Sequence, residues 1–119
     1  MDLDLSTRAA DARAVVTVLG EVDLETAAGL GDHALAALHD VSPHLVLDLT
    51  GVTFMDSTGL KVLLSTQRRA DLAGGSMCIV GADRPVRRIL ALTGLDEAFT
   101  LYDTYAEVPA LIDGAAPTP

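Results

Sequence analysis

His44-Leu45-Val46-Leu47-Asp48-Leu49 is followed by a short connection, Gly51 to Asp56, and then by Ser57-Thr58-Gly59-Leu60-Lys61. The first run is almost continuously apolar and short, which suits a strand covered on both faces of a sheet. Beyond Asp56 the period changes. Leu60, Leu63, Leu64, Gln67 and Ala70 trace the inner face of a helix that starts near Ser57, and Gly74-Gly75 is its stop. A buried strand feeding an amphipathic helix through a short loop is half of a strand–helix–strand crossover. It places the chain in the α/β class.

The same alternation extends in both directions. Leu3 and Leu5 alternate with Asp2, Asp4 and Ser6, as in a half-buried strand. Arg8 to Arg13 is expected as a turn, and the β-branched run Ala14 to Leu19, closed by Gly20, as the second arm of a hairpin. Glu25 to about His39 is expected as a helix, with Leu30, Ala34, Leu35 and Leu38 inward and Asp23 or Glu25 at its start. Met77 to Val80 reads as another short buried strand. A helix follows in which Asp83 caps, Pro85 occupies the first turn, and Val86, Ile89, Leu90 and Thr93 face inward. Phe99 to Tyr102 completes the strands and Tyr105 to Ile112 is expected as a last helix. The expected order is β-β-α-β-α-β-α-β-α: a mixed, largely parallel sheet with an N-terminal β-hairpin and about four helices. Residues 1–113 form one domain in this reading, and Gly114 to Pro119 a disordered tail.

Composition narrows the function. The chain has 119 residues, 8 basic and 17 acidic, for a net charge of -9. That average field repels phosphate backbones and anionic membranes, so no direct nucleic-acid or membrane contact is expected. The aromatic residues, Phe54, Phe99, Tyr102 and Tyr105, are too few and scattered for a base-stacking platform. Cys78, the single cysteine, lies in the apolar run Met77 to Val80 and reads as a small core hydrophobe. Met-Asp-Leu-Asp-Leu at the start lacks signal-peptide character, and no apolar run approaches the roughly 20 residues of a membrane span. A soluble cytoplasmic protein is expected.

Three enzyme motifs could fall on the residues around Ser57, and the spacing fits none of them. A serine nucleophile on a sharp elbow needs glycines two positions either side, and position 55 is Met55 although Gly59 is present. His33, His39 and His44 all precede Ser57 in no catalytic context. Asp56-Ser57-Thr58-Gly59 has one residue too many for an aspartic-protease motif. Gly59-Leu60-Lys61 lacks the upstream glycine and Lys-Ser/Thr pair of a phosphate loop. No spacing fits zinc or calcium, so neither a catalytic residue, a metal nor a cofactor is expected. By local physics alone Ser57 is a helix N-cap whose hydroxyl accepts the N–H of Gly59 or Leu60.

Leu47-Asp48-Leu49 followed by Val52-Thr53-Phe54-Met55-Asp56-Ser57-Thr58-Gly59-Leu60 resembles the signature of the STAS domain, and more narrowly of the bacterial anti-sigma-factor antagonists. Gly20-Glu21-Val22-Asp23 resembles a second signature of that family, and the likeness covers roughly residues 3 to 112. The resemblance implies a mixed sheet with helices packed against it. It implies binding to an anti-sigma factor that is also an ATP-dependent serine kinase, release of a sigma factor, phosphorylation at Ser57, and reversal by a PP2C-type phosphatase. It implies a partner surface at Asp23, Asp56, Ser57, Thr58 and Gly59. Arg84, Arg87 and Arg88, the densest basic cluster, fit either an ordinary solvated helix face or a place near that surface. Two other roles share the fold: a regulatory subunit of a transporter and a stressosome-like scaffold. A small hydrolase using Ser57 is the alternative of another class.

Overall fold

The computed structural model describes residues 2–111. The expected tail from Gly114 to Pro119, and Ile112, where the last helix was expected to end, lie outside the described residues. The elements are β1 (Leu3–Ala10), β2 (Arg13–Val22), α1 (Ala27–Asp40), β3 (His44–Met55), α2 (Ser57–Leu72), β4 (Ser76–Val80), α3 (Arg84–Thr93) and β5 (Leu101–Tyr102). One sheet has the order β1-β2-β3-β4-β5, with β1 antiparallel to β2 and every later pair parallel. Crossovers of one hand that always step in one direction put their helices on one face.

Strand alternation divides the core accordingly. Ala14, Val16 and Val18 of β2, Leu45, Leu47 and Leu49 of β3, and Met77 and Ile79 of β4 join Leu30, Leu38, Leu60, Leu63, Val86 and Leu90 of the helices in one buried cluster. The intervening Val15, Val46 and Val80 are buried on the other face, where Cys78, Tyr102, Tyr105 and Val108 pack against them. β3 is thus covered on both sides along its first half, as its composition predicts. Cys78 is half-buried on the back face, and burial pushes its thiol above the ordinary range, against the opposing effect of the Arg13 charge.

Four expectations need correction. The hairpin turn is only Asp11-Ala12, and Arg8 to Ala10 belong to β1. Both turn residues have positive φ, 54° and 65°, the geometry that matches strand twist in a two-residue hairpin, without the glycine that usually marks it. Gly51 to Met55 is not a connection: it continues β3, alongside register shifts between Thr17 and Leu19 and between Gly20 and Glu21. Those shifts let Leu49, Val52 and Met55, three residues apart, all reach the helix-side core. The last helix is a single 3-10 turn, Tyr105–Glu107, closed by Val108 in extended geometry before Pro109. The described residues therefore hold three α-helices. Leu64 and Thr93, expected inward, are exposed, and the Thr93 hydroxyl donates to Ile89 O of its own helix at 2.7 Å.

Leu47 is 1% exposed at the centre of the sheet. Leu47→Ala is expected to lower stability by about 2–5 kcal/mol, and Leu47→Met by less than about 1.5 kcal/mol, in urea unfolding followed by circular dichroism.

Candidate functional site

The parallel strands β2 and β3 end side by side. Val22 pairs with Met55, and Asp56 N donates to Val22 O at 3.2 Å. The chain then leaves the sheet twice at the same place, as the loop Asp23 to Thr26 and as the entrance of α2. The ends of adjacent parallel strands are where such sheets expose loops for recognition.

At the α2 entrance the cap is Asp56, not Ser57. Asp56 is extended (φ -111°, ψ -170°), and its carboxylate accepts Thr58 N at 2.9 Å, Gly59 N at 3.4 Å and the Thr58 hydroxyl. Aspartate and serine cap about equally well, and the aspartate charge also meets the positive helix end. The Thr58 hydroxyl bond chiefly holds the Asp56 carboxyl below its ordinary value; burial opposes it, and the backbone bonds from Thr58 and Gly59 add to the lowering. Ser57 becomes the first helical residue and is exposed. Its hydroxyl is released from the capping duty that local sequence assigned to it. Gly59 is buried because α2 sits directly on the strand ends: a Cβ there would lie 2.6 Å from Met55 Cγ and 2.9 Å from Val22 Cγ1.

The neighbouring loop is held in the same way. The Asp23 carboxylate accepts Glu25 N at 2.9 Å and Thr26 N at 3.1 Å, while Asp23 N donates to the Thr26 hydroxyl at 2.9 Å. That hydroxyl donates in turn to Glu21 O at 2.7 Å. Asp23 is therefore half-buried and shapes the loop, and α1 begins at Ala27 after Thr26 instead of at Glu25. The residue thrust outward is Leu24, 78% exposed. No periodic pattern marks it; its signal in the sequence is an isolated leucine between two acidic residues just beyond a strand. The structure brings Asp23, Asp56, Ser57, Thr58 and Gly59 to one end of the sheet.

The remaining candidates lie elsewhere. His33 Nε2 is 2.6 Å from the Thr7 hydroxyl, and His44 Nδ1 is 3.0 Å from the Ser76 hydroxyl at the far end of β3. Arg87 Nε donates to Ala82 O and its guanidinium pairs with Asp103, both at 2.8 Å. Arg87 and Arg88 line an open cleft of about 610 Å³ with Thr50, Gly81, Asp83 and Asp103, so the arginines face a mixed-charge setting. Arg84 opens α3. Among the described residues no group of three or more His, Cys, Asp or Glu could hold a metal ion, and no helix is long and apolar enough to cross a membrane.

The STAS-domain family model matches residues 4–108. This chain belongs to the STAS-domain family. Its STAS domain is 36% identical over 91 residues to the anti-sigma-F factor antagonist RsfB of Mycobacterium tuberculosis, covering 76% of this chain and 74% of the relative. The crystal structure of an anti-sigma factor antagonist from Mycobacterium paratuberculosis superposes with a TM-score of 0.80 at 36% identity, over 89% of this chain and 90% of the other. The Bacillus cell fate determinant SpoIIAA in its phosphorylated form shares the fold, with a TM-score of 0.64 at 16% identity over 86% of this chain and 92% of the other.

Two outcomes follow from the STAS-domain cap. Asp56 is a group whose folded pKa is depressed, so its stabilisation is complete above its ordinary value of 3.8 and is lost as the pH falls through the lower folded value. Asp56→Ala is expected to cost about 0.5–2 kcal/mol at neutral pH and to flatten the stability profile below that ordinary value, measured as urea midpoints against pH. Gly59→Ala is expected to cost about 1–3 kcal/mol in the same assay, because Val22 and Met55 must shift.

Proposed function

We propose that this chain is an anti-sigma-factor antagonist. It binds an anti-sigma factor that is also a serine kinase, so releasing a sigma factor, and is switched off by phosphorylation of Ser57. The observation that carries the reading is the contrast between two adjacent hydroxyls. The Thr58 hydroxyl is engaged by the Asp56 carboxylate, whereas Ser57 stands exposed at the first position of α2. The named relatives support the role, and the phosphorylated form of a protein with this fold supports the switch.

The physics of the switch is a difference between free and bound protein. A phosphate on Ser57 adds about -1.5 to -2 charges. In the free domain it lies at the positive end of α2 and in contact with water, so the fold tolerates it. In a complex it must be buried beside the Asp56 carboxylate and near Glu21 at the end of β2 and Asp23 and Glu25 of the adjoining loop. Desolvation and like-charge repulsion then oppose binding. A penalty of ~3 kcal/mol weakens the complex ~150-fold. Leu24, apolar and rimmed by those acidic residues, fits a partner surface with an apolar socket and basic edges. A PP2C-type phosphatase would reset the switch, and a kinase that uses ATP implies a cytoplasmic setting.

Incubation with the anti-sigma factor kinase and ATP, followed by residue-level mass spectrometry, is expected to give one phosphate, on Ser57, and none in Ser57→Ala. The phosphorylated protein should keep its unfolding midpoint within about 1 kcal/mol and lose kinase affinity by about two orders of magnitude. Phosphate on Thr58, or a phosphorylated protein that unfolds, overturns the reading.

A further inference from the structure

Among the described residues, β1 is an edge strand with β2 as its one neighbour in the sheet. Asp2 O accepts Glu21 N at 3.5 Å and lies 2.3 Å from where a Cβ on Gly20 would be, so this carbonyl faces β2. In a trans peptide the N–H of Leu3 then points the other way. Alternation along the strand sends the N–H and C=O of Leu3, Leu5, Thr7 and Ala9 outward, away from β2. β1 contains neither proline nor lysine, two of the usual means of blunting such an edge. Its partners in β2 put Leu3, Leu5, Thr7 and Ala9 on the helix side, and Asp4, Ser6 and Arg8 on the back face, all three exposed.

We propose that β1 pairs with β1 of a second copy of this chain, antiparallel about a two-fold axis at Ser6, so that one sheet runs through both copies. A two-fold contact uses the same patch twice, so the patch must complement itself. β1 does so in this register. Asp4 falls opposite Arg8 of the second copy, and Arg8 opposite its Asp4, on one face. Leu5 falls opposite Thr7 and Leu3 opposite Ala9, and these are the residues whose backbone groups point outward. The whole span Leu3 to Ala9 is paired. The two Asp–Arg contacts occupy non-hydrogen-bonded sites, where side chains approach most closely and opposite charges are favoured. Arg8 lies over the back face, its guanidinium 5.1 Å from the Tyr105 ring centre, on the same face as Asp4. The net charge of -9 on each copy opposes association, so the dimer is a weak one.

Sedimentation velocity on the full chain, from micromolar to millimolar concentration, tests the proposal. A concentration-dependent dimer is expected. Arg8→Asp and Asp4→Arg should each weaken it by about tenfold or more, since both contacts become repulsive. The double swap, or an equimolar mixture of the two single variants, should restore it. Thr7→Pro removes an outward N–H without touching the β2 ladder and should abolish it. Circular dichroism and urea midpoints check that each variant is folded. A monomer at every concentration overturns the proposal, as does a dimer indifferent to the charge swaps or a mixture no stronger than its components.

Discussion

The ladder between β2 and β3 is the constraint on which the remaining structure rests. It is parallel, so the chain must travel back along the sheet before the second strand can form, and α1 is that return. It is central, so both faces of β3 must be covered, by helices on one side and by the C-terminal segment on the other. It also brings Val22 and Met55 to the same level, and everything at the recognition end is built from that coincidence. Asp56 N bonds to Val22 O, Gly59 fits against both side chains, and the two loops emerge together. A shift of the ladder by one residue would turn the side chains of the shifted strand to the opposite face.

Most of this was legible in the residues. Leu45, Leu47 and Leu49 announce a buried strand, and the change to a helical period after Asp56 announces the crossover. What escaped has physical causes. The extension of β3 past Leu49 is hidden because bulges replace simple alternation with a three-residue step through Val52 and Met55. The hairpin is tighter than expected because Asp11 and Ala12 adopt positive φ without a glycine to mark it. The final helix stops after one turn because Pro109 constrains Val108.

The site was legible by position and not by duty. Ser57 and its neighbours were located correctly at the helix entrance, but the capping role belongs to Asp56, one residue earlier. Propensity cannot separate two adjacent capping residues; backbone dihedrals do. The Asp23 carboxylate also shapes its own loop, which turns Leu24 outward. A single exposed leucine carries no periodic signal, so pattern reading cannot find it.

The back face has one more consequence. Arg13, 7% exposed, donates through its guanidinium to Pro109 O, and the Tyr105 hydroxyl donates to Asp11 Oδ2 at 2.7 Å. These contacts join residues 96 and 94 positions apart. During synthesis the hairpin precedes the segment that covers it, so Val15 and the Arg13 guanidinium stay uncovered until Tyr105 to Pro109 have followed. Closure of the back face is therefore a late event, and contacts of such long sequence separation make folding slow. A nascent chain interrupted before Tyr102 would hold most of its sheet and its three helices with one apolar side open to water.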